Sequence, residues 1–198
     1  MPTAGGAVDV LEHRTGYGTR RLWRRVALVV VGLLALSVTG VLADRRLRSH
    51  EFDEVLAGCL AGEADWAYAE RTVIGMVDYA APLLQRADAS PELKAGLAVR
   101  VRATASAAAD SLGPGRASLA ALTILPWHGP QLDARDACSG YLSQADHRLR
   151  QVADDLSALD LPMDHLQDRQ RAARAALMAA AVEPAATRAA STIFADVP

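Results

Sequence analysis

The chain has 198 residues, 51% of them apolar, with 21 basic and 23 acidic side chains and a formal net charge of −2. That balance leaves no basic face to neutralise a phosphate backbone, which argues against nucleic acid as a partner. Only Lys94 is a lysine, no asparagine occurs, and aromatics make up 5%. The abundance of arginine and alanine is that of a GC-rich bacterial codon pool and is not itself a sign of function.

Residues 1–25 form a short basic head, with Arg14, Arg20, Arg21, Arg24 and Arg25 against Asp9 and Glu12. Residues 26–43 (VALVVVGLLALSVTGVLA) follow without a charge. Eighteen residues of helix cover about 27 Å, close to the roughly 30 Å hydrocarbon core of a bilayer, so the run reads as a transmembrane helix. Arg45, Arg46 and Arg48 lie beyond it. Five arginines before and three after place the N-terminus on the cytoplasmic side of the plasma membrane. Trp23 suits the interfacial belt. Gly32 and Gly40 are eight apart, outside the four-residue spacing of a GxxxG pair. Val41-Leu42-Ala43 resembles a signal-peptide cleavage site, but the apolar run exceeds the 7–15 residues usual for one. Retained or cleaved, it delivers the rest outside the cytoplasm.

Of the charged residues, five arginines and two acids precede the span, leaving 16 basic and 21 acidic beyond it, a net of −5. Residues 44–184 read as an extracytoplasmic helical bundle. Helix formers dominate and Val/Ile/Thr alternation is missing. From 44 to 87 the apolar stripe is Cys59, Gly62, Trp66, Ala69, Val73, Met76 and Ala80, with Pro82 expected to kink or end the helix. Ser90-Pro91-Glu92 restarts one, since Ser suits the N-cap and Pro the first helical position. Its stripe is Leu93, Leu97, Val101, Ala105, Ala108 and Leu112, and Gly113-Pro114-Gly115 is expected to stop it. A short apolar piece, 117–125, leads to Pro126-Trp127-His128-Gly129-Pro130, a rigid bend. A helix over 133–159 carries Cys138, Tyr141, Ala145, Leu149, Val152, Leu156 and Leu159. After Pro162 a last helix over 164–182 carries Leu166, Ala173, Leu177 and Ala180, and Pro184 closes it. Residues 185–198 form a tail too mixed to assign. The fold class is all-α: one N-terminal transmembrane helix, then an antiparallel bundle of about four helices.

Cys59 and Cys138 are the only cysteines, both on inward stripes and both outside the cytoplasm, which favours a disulfide over two buried thiols. The histidines, His13, His50, His128, His147 and His165, form no HExxH and no Glu-x-x-His, so they read as scattered surface residues and not a metal site. Glu63, Trp66 and Glu70 share one face, either as a ligand groove or as the solvated edge of a heptad. Trp127 and His128 form either a recognition tip or a plug closing one end of the bundle. No phosphate loop, G-x-S-x-G or Ser/His/Asp arrangement occurs, so neither catalytic residues nor a cofactor are expected.

The layout loosely resembles the helical sensor halves of bacterial membrane receptors. Those carry a cytoplasmic output module, whereas only about 25 residues precede this span, so a self-contained receptor is not expected. The reading is a non-enzymatic, single-pass membrane protein serving as an envelope interaction or accessory subunit. Its expected partners are the lipid bilayer and another membrane or envelope protein. The alternative is a small-ligand-binding or sensory domain that signals through a partner membrane protein. An enzyme with an unrecognised site is the third.

Overall fold

In a computed structural model describing residues 15–86, 88–156 and 163–195, every described element is a helix. They are α1 Thr15–Leu84, α2 Pro91–Ser111, α3 Gly113–Ala121, α4 Gly129–Asp154, α5 Asp164–Ala180 and α6 Pro184–Thr192. The chain divides into two compact units, Met1–Arg46 and Leu47–Pro198.

The first unit carries the apolar run. Among the described residues, α1 is the one helix long and apolar enough to cross a membrane, and none of its apolar stretch is buried. Every side chain from 26 to 43 is exposed, an apolar surface far too continuous to face water without consequence. The run's two hydroxyls are already satisfied. Ser37 Oγ donates to Leu33 O at 2.8 Å, and Thr39 Oγ1 to Ala35 O at 2.8 Å. Back-bonding of this kind lets a hydroxyl enter lipid without an unpaired donor. Trp23 stands exposed at the start of the run. The basic head up to Arg14, with His13, lies outside the described residues.

The second unit is built on the stripe of α1. Phe52, Val55, Cys59, Trp66, Ala69, Val73 and Ala80 are all buried, at alternating three- and four-residue steps or their sum. The helix continues through Pro82 for two residues and ends at Leu84; Ala87 lies outside the described residues. Along α2 and α3 the partners of α1 come in reverse order. Leu97 and Val101 cluster with Ala80, Gly115 meets Gly62, and Leu119 lies against Gly58. Along α4 they come in the same order: His128 meets Glu51, Cys138 meets Cys59, and Leu142 meets Gly62. Cys59 and Cys138 have Cα atoms 5.6 Å apart with their sulfurs at disulfide distance, within the range a bond requires. The ion pair of Arg116 with Asp146 (2.6 Å) and that of Arg150 with Asp110 (3.1 Å) join α3 and α2 to α4 at the surface. The Arg150–Asp110 pair is exposed and adds about 0–1 kcal/mol, whereas Arg116 and Asp146 are half-buried.

Small residues set the spacing. A Cβ on Gly62 would lie 2.5 Å from Leu142 Cδ1 and 3.1 Å from its Cγ, so the whole Leu142 side chain would have to move. Leu142 is fully buried. Gly62→Ala is therefore expected to cost about 1–3 kcal/mol through overpacking, against any gain in helix propensity. Thermal unfolding of the full chain in detergent would measure it. An unchanged midpoint would mean that α1 and α4 are not in close contact there.

Several boundaries differ from expectation, and prolines explain most of them. The preceding helix does end at Ser111, as expected, but Gly113-Pro114-Gly115 is not a break in helical structure. It opens α3, one residue after α2 ends, because a proline in the first turn lacks only an N–H that has no helical partner anyway. The piece 117–125 is thus mostly helix. Pro130 likewise lies in the first turn of α4, which begins at Gly129 rather than 133. Pro184 starts α6 where it was expected to close the previous helix. The tail is ordered by burial of Ala190, Ile193 and Phe194. Phe194 adopts a left-handed φ of 51°, rare for a bulky side chain, and meets Tyr141 edge-on at 4.8 Å. Ser90 caps α2 as expected, accepting from Leu93 N, but Leu93 itself is exposed. Leu159 and Pro162 lie outside the described residues.

Candidate functional site

Two places on the second unit combine polar groups with burial. The first is a cleft of about 220 Å³ where α1, α4 and the approach to α5 meet. Trp66, Val73 and Ile74 from α1, Leu149 and Val152 from α4, and Met163 supply apolar walls. Glu70 and Arg148 add one acidic and one basic group to the lining. Burial pushes the Glu70 carboxyl above the usual carboxylate range. Of the expected Glu63–Trp66–Glu70 groove, Trp66 and Glu70 line this cleft and Glu63 does not. Trp66 is itself buried and forms part of the core. A broader depression of about 770 Å³ is lined in part by His147, His165, Arg148, Arg169, Asp164 and Asp168. The two histidines there are exposed. Among the described residues no three metal-ligating side chains converge. A cleft of this size with one carboxyl and one guanidinium is suited to holding a small amphipathic molecule, with apolar walls for one end and charge for the other.

The second place is the junction of α1 with the bend before α4. Glu51 is buried, and its Oε1 accepts from Leu125 N at 3.0 Å. Its Oε2 lies 2.5 Å from His128 Nδ1. His128 N donates to Leu125 O at 2.9 Å, and His128 O accepts from Gln131 N and Leu132 N. Gln131 Nε2 then reaches Ala180 O at 3.1 Å. One carboxylate thus fixes a whole bend to α1, since a buried charge holds its place only where hydrogen bonds replace water.

This corrects the expectation that the histidines are scattered over the surface. His128 has no exposed surface at all, because Glu51 provides a partner 77 residues away in sequence. His50, in contrast, is exposed and pairs with Glu54 one turn on. The Trp127–His128 pair is divided as well. Trp127 is 65% exposed while its neighbour is buried, so the two do not share one surface. The residues that sequence reasoning missed are Glu51, Ile74, Arg148 and Met163. Val73 was visible on the stripe, but nothing local marks Glu51, one of several acids after the span.

Compared with protein-family models, with curated proteins and with solved structures, the chain matches none.

Proposed function

We propose that this is a non-enzymatic, single-pass membrane protein. In this reading an antiparallel bundle of about four helices stands outside the cytoplasm and serves as an envelope interaction or accessory subunit. The observation that carries it is the uncharged run 26–43, exposed along its whole length and joined to a separate helical unit with its own core. Apolar surface of that extent needs lipid. The cysteine pair at bonding distance supports an oxidising compartment for the second unit, and the arginine bias supports a cytoplasmic N-terminus.

The outward face of α1 in the second unit is a suitable contact surface. Leu60, Tyr68 and Tyr79 are exposed on it, and aromatics of this kind are enriched where proteins meet. The full chain should pellet with membranes and resist high salt and carbonate, because burial of apolar surface holds it and not charge. A photo-crosslinking residue at position 68 or 79 should then give a discrete adduct with a second membrane or envelope protein. Recovery of a soluble chain starting at Asp44 would contradict the anchor. Absence of an adduct from both positions would contradict the accessory role.

The cleft beside Trp66 and Glu70 favours the second reading, a small-ligand-binding or sensory unit that signals through a partner. Ile74→Trp, which fills that cleft, leaves the crosslink intact in the first reading and abolishes the ligand response in the second.

A further inference from the structure

Within the second unit, Gly62 of α1 lies against Leu142 of α4, and the two helices run in the same direction past that contact. Glu70 is eight residues beyond Gly62, and Arg148 is six beyond Leu142. At 1.5 Å of rise per residue they stand about 12 Å and about 9 Å along their helices from the same contact. Packing thus brings the two charges to nearly one level, and both line the cleft of about 220 Å³. Trp66, Val73, Leu149 and Val152, which wall it, are buried core residues, so the cleft reaches into the core. Ile74, half exposed, stands at its mouth. An apolar cavity of about 150 Å³ is enough to hold benzene, so this cleft has room for one aromatic ring.

The two charges are not equivalent. Burial pushes the Glu70 carboxyl above the usual carboxylate range, toward its neutral form. Arg148 keeps its charge and presents a planar fork of donors that matches a carboxylate. Arg148 and Met163 are also shared with the broader depression between α4 and α5. There Arg169, His147 and His165 stand with Asp164 and Asp168, and Asp168 is engaged by Arg171 at 3.0 Å. The rim of the cleft at Arg148 is therefore the end where cationic groups are in excess.

We propose that the cleft takes up a small organic monocarboxylate with one compact apolar body. The ring sits among Trp66, Val73 and Val152, and the carboxylate accepts from the Arg148 guanidinium. This rests on the second reading above, that of a ligand-binding unit, and names the class of its ligand.

The probe is phenylacetate, with phenylacetamide and phenethylamine as its neutral and cationic counterparts. Each is titrated calorimetrically into the full chain in lipid nanodiscs, with the signal of empty nanodiscs subtracted. Phenylacetate is expected to bind, and the amide and the amine to bind about tenfold or more weakly, the scale of a hydrogen bond between charged groups. Arg148→Gln should weaken phenylacetate by a similar factor and leave phenylacetamide unchanged, a split that a merely structural defect does not give. Glu70→Gln should bind phenylacetate at least as tightly as the unaltered protein, and Ile74→Trp, which fills the cleft, should bind none of the three. Equal losses of acid and amide in Arg148→Gln, or loss of phenylacetate in Glu70→Gln, would overturn the proposal. If the amide or the amine binds as tightly as the acid and Ile74→Trp removes it, the class is wrong while the ligand-binding reading stands. If none of the three binds, or if binding persists in Ile74→Trp, the cleft is not a ligand site and both fail.

Discussion

Leu142→Asp should abolish folding of the second unit. Leu142 is fully buried and lies against both Gly62 and Gly115, where three helices approach closely. Loss of the apolar side chain costs about 2–5 kcal/mol by analogy with Leu→Ala replacements. An unpaired carboxylate at the same place costs several more. The total reaches the whole stability of an ordinary domain, about 5–15 kcal/mol. Ser143→Asp, next in sequence but exposed on the same helix, should stay within about 0.5 kcal/mol. Circular dichroism and limited proteolysis of the full chain in detergent would compare the two. Equal effects would mean that α4 turns a different face to the core.

Removing the covalent link should have the next strongest effect. Cys59 and Cys138 are 79 residues apart in sequence, and closing a loop of that size restricts the unfolded chain by about 4.5 kcal/mol in the chain-entropy model. For a protein of this length each kcal/mol shifts the midpoint by about 2–4 °C. The double replacement Cys59→Ser, Cys138→Ser is expected to lower Tm by roughly 9–18 °C, with the smaller figure where the reduced chain retains structure. Reductant should reproduce the shift in the unaltered protein and leave the double variant unchanged. Mass spectrometry of protein prepared without thiols should find no alkylated cysteine. Two alkylated thiols before reduction would contradict the bond.

The helical class and the buried stripes were legible because both depend on local spacing. The expected stripe positions from Cys59 to Val73 are buried, as are those from Leu166 to Ala180. Cys59 and Cys138, each on its own stripe, meet as their inward positions imply. The prolines were legible only in part. Pro91 reads as a helix start because Ser90 and Glu92 surround it with first-turn chemistry. Pro114, Pro130 and Pro184 lack such a cap and looked like stops, yet each lies in a first turn. A proline disfavours helix on its N-terminal side, although α1 runs through Pro82 to Leu84, and permits it on the other, so only neighbouring residues or tertiary packing can tell the two apart. The Glu51–His128 junction was not legible at all. A pairing across 77 residues leaves no periodic signal, and neither residue type is unusual where it stands. The cleft had a partial signature in Trp66 and Glu70, whereas Arg148 and Met163 enter it from other segments.

Anchoring and sidedness together decide whether this is an envelope protein. Reporters active only outside the cytoplasm, fused to either end of the chain, read both at once. A fusion after Pro198 should be active and one placed ahead of Arg20 inactive, with both chains recovered from membranes after carbonate washing. Activity from the N-terminal fusion alone would place the cysteines and the whole helical unit in the cytoplasm and contradict the proposed function.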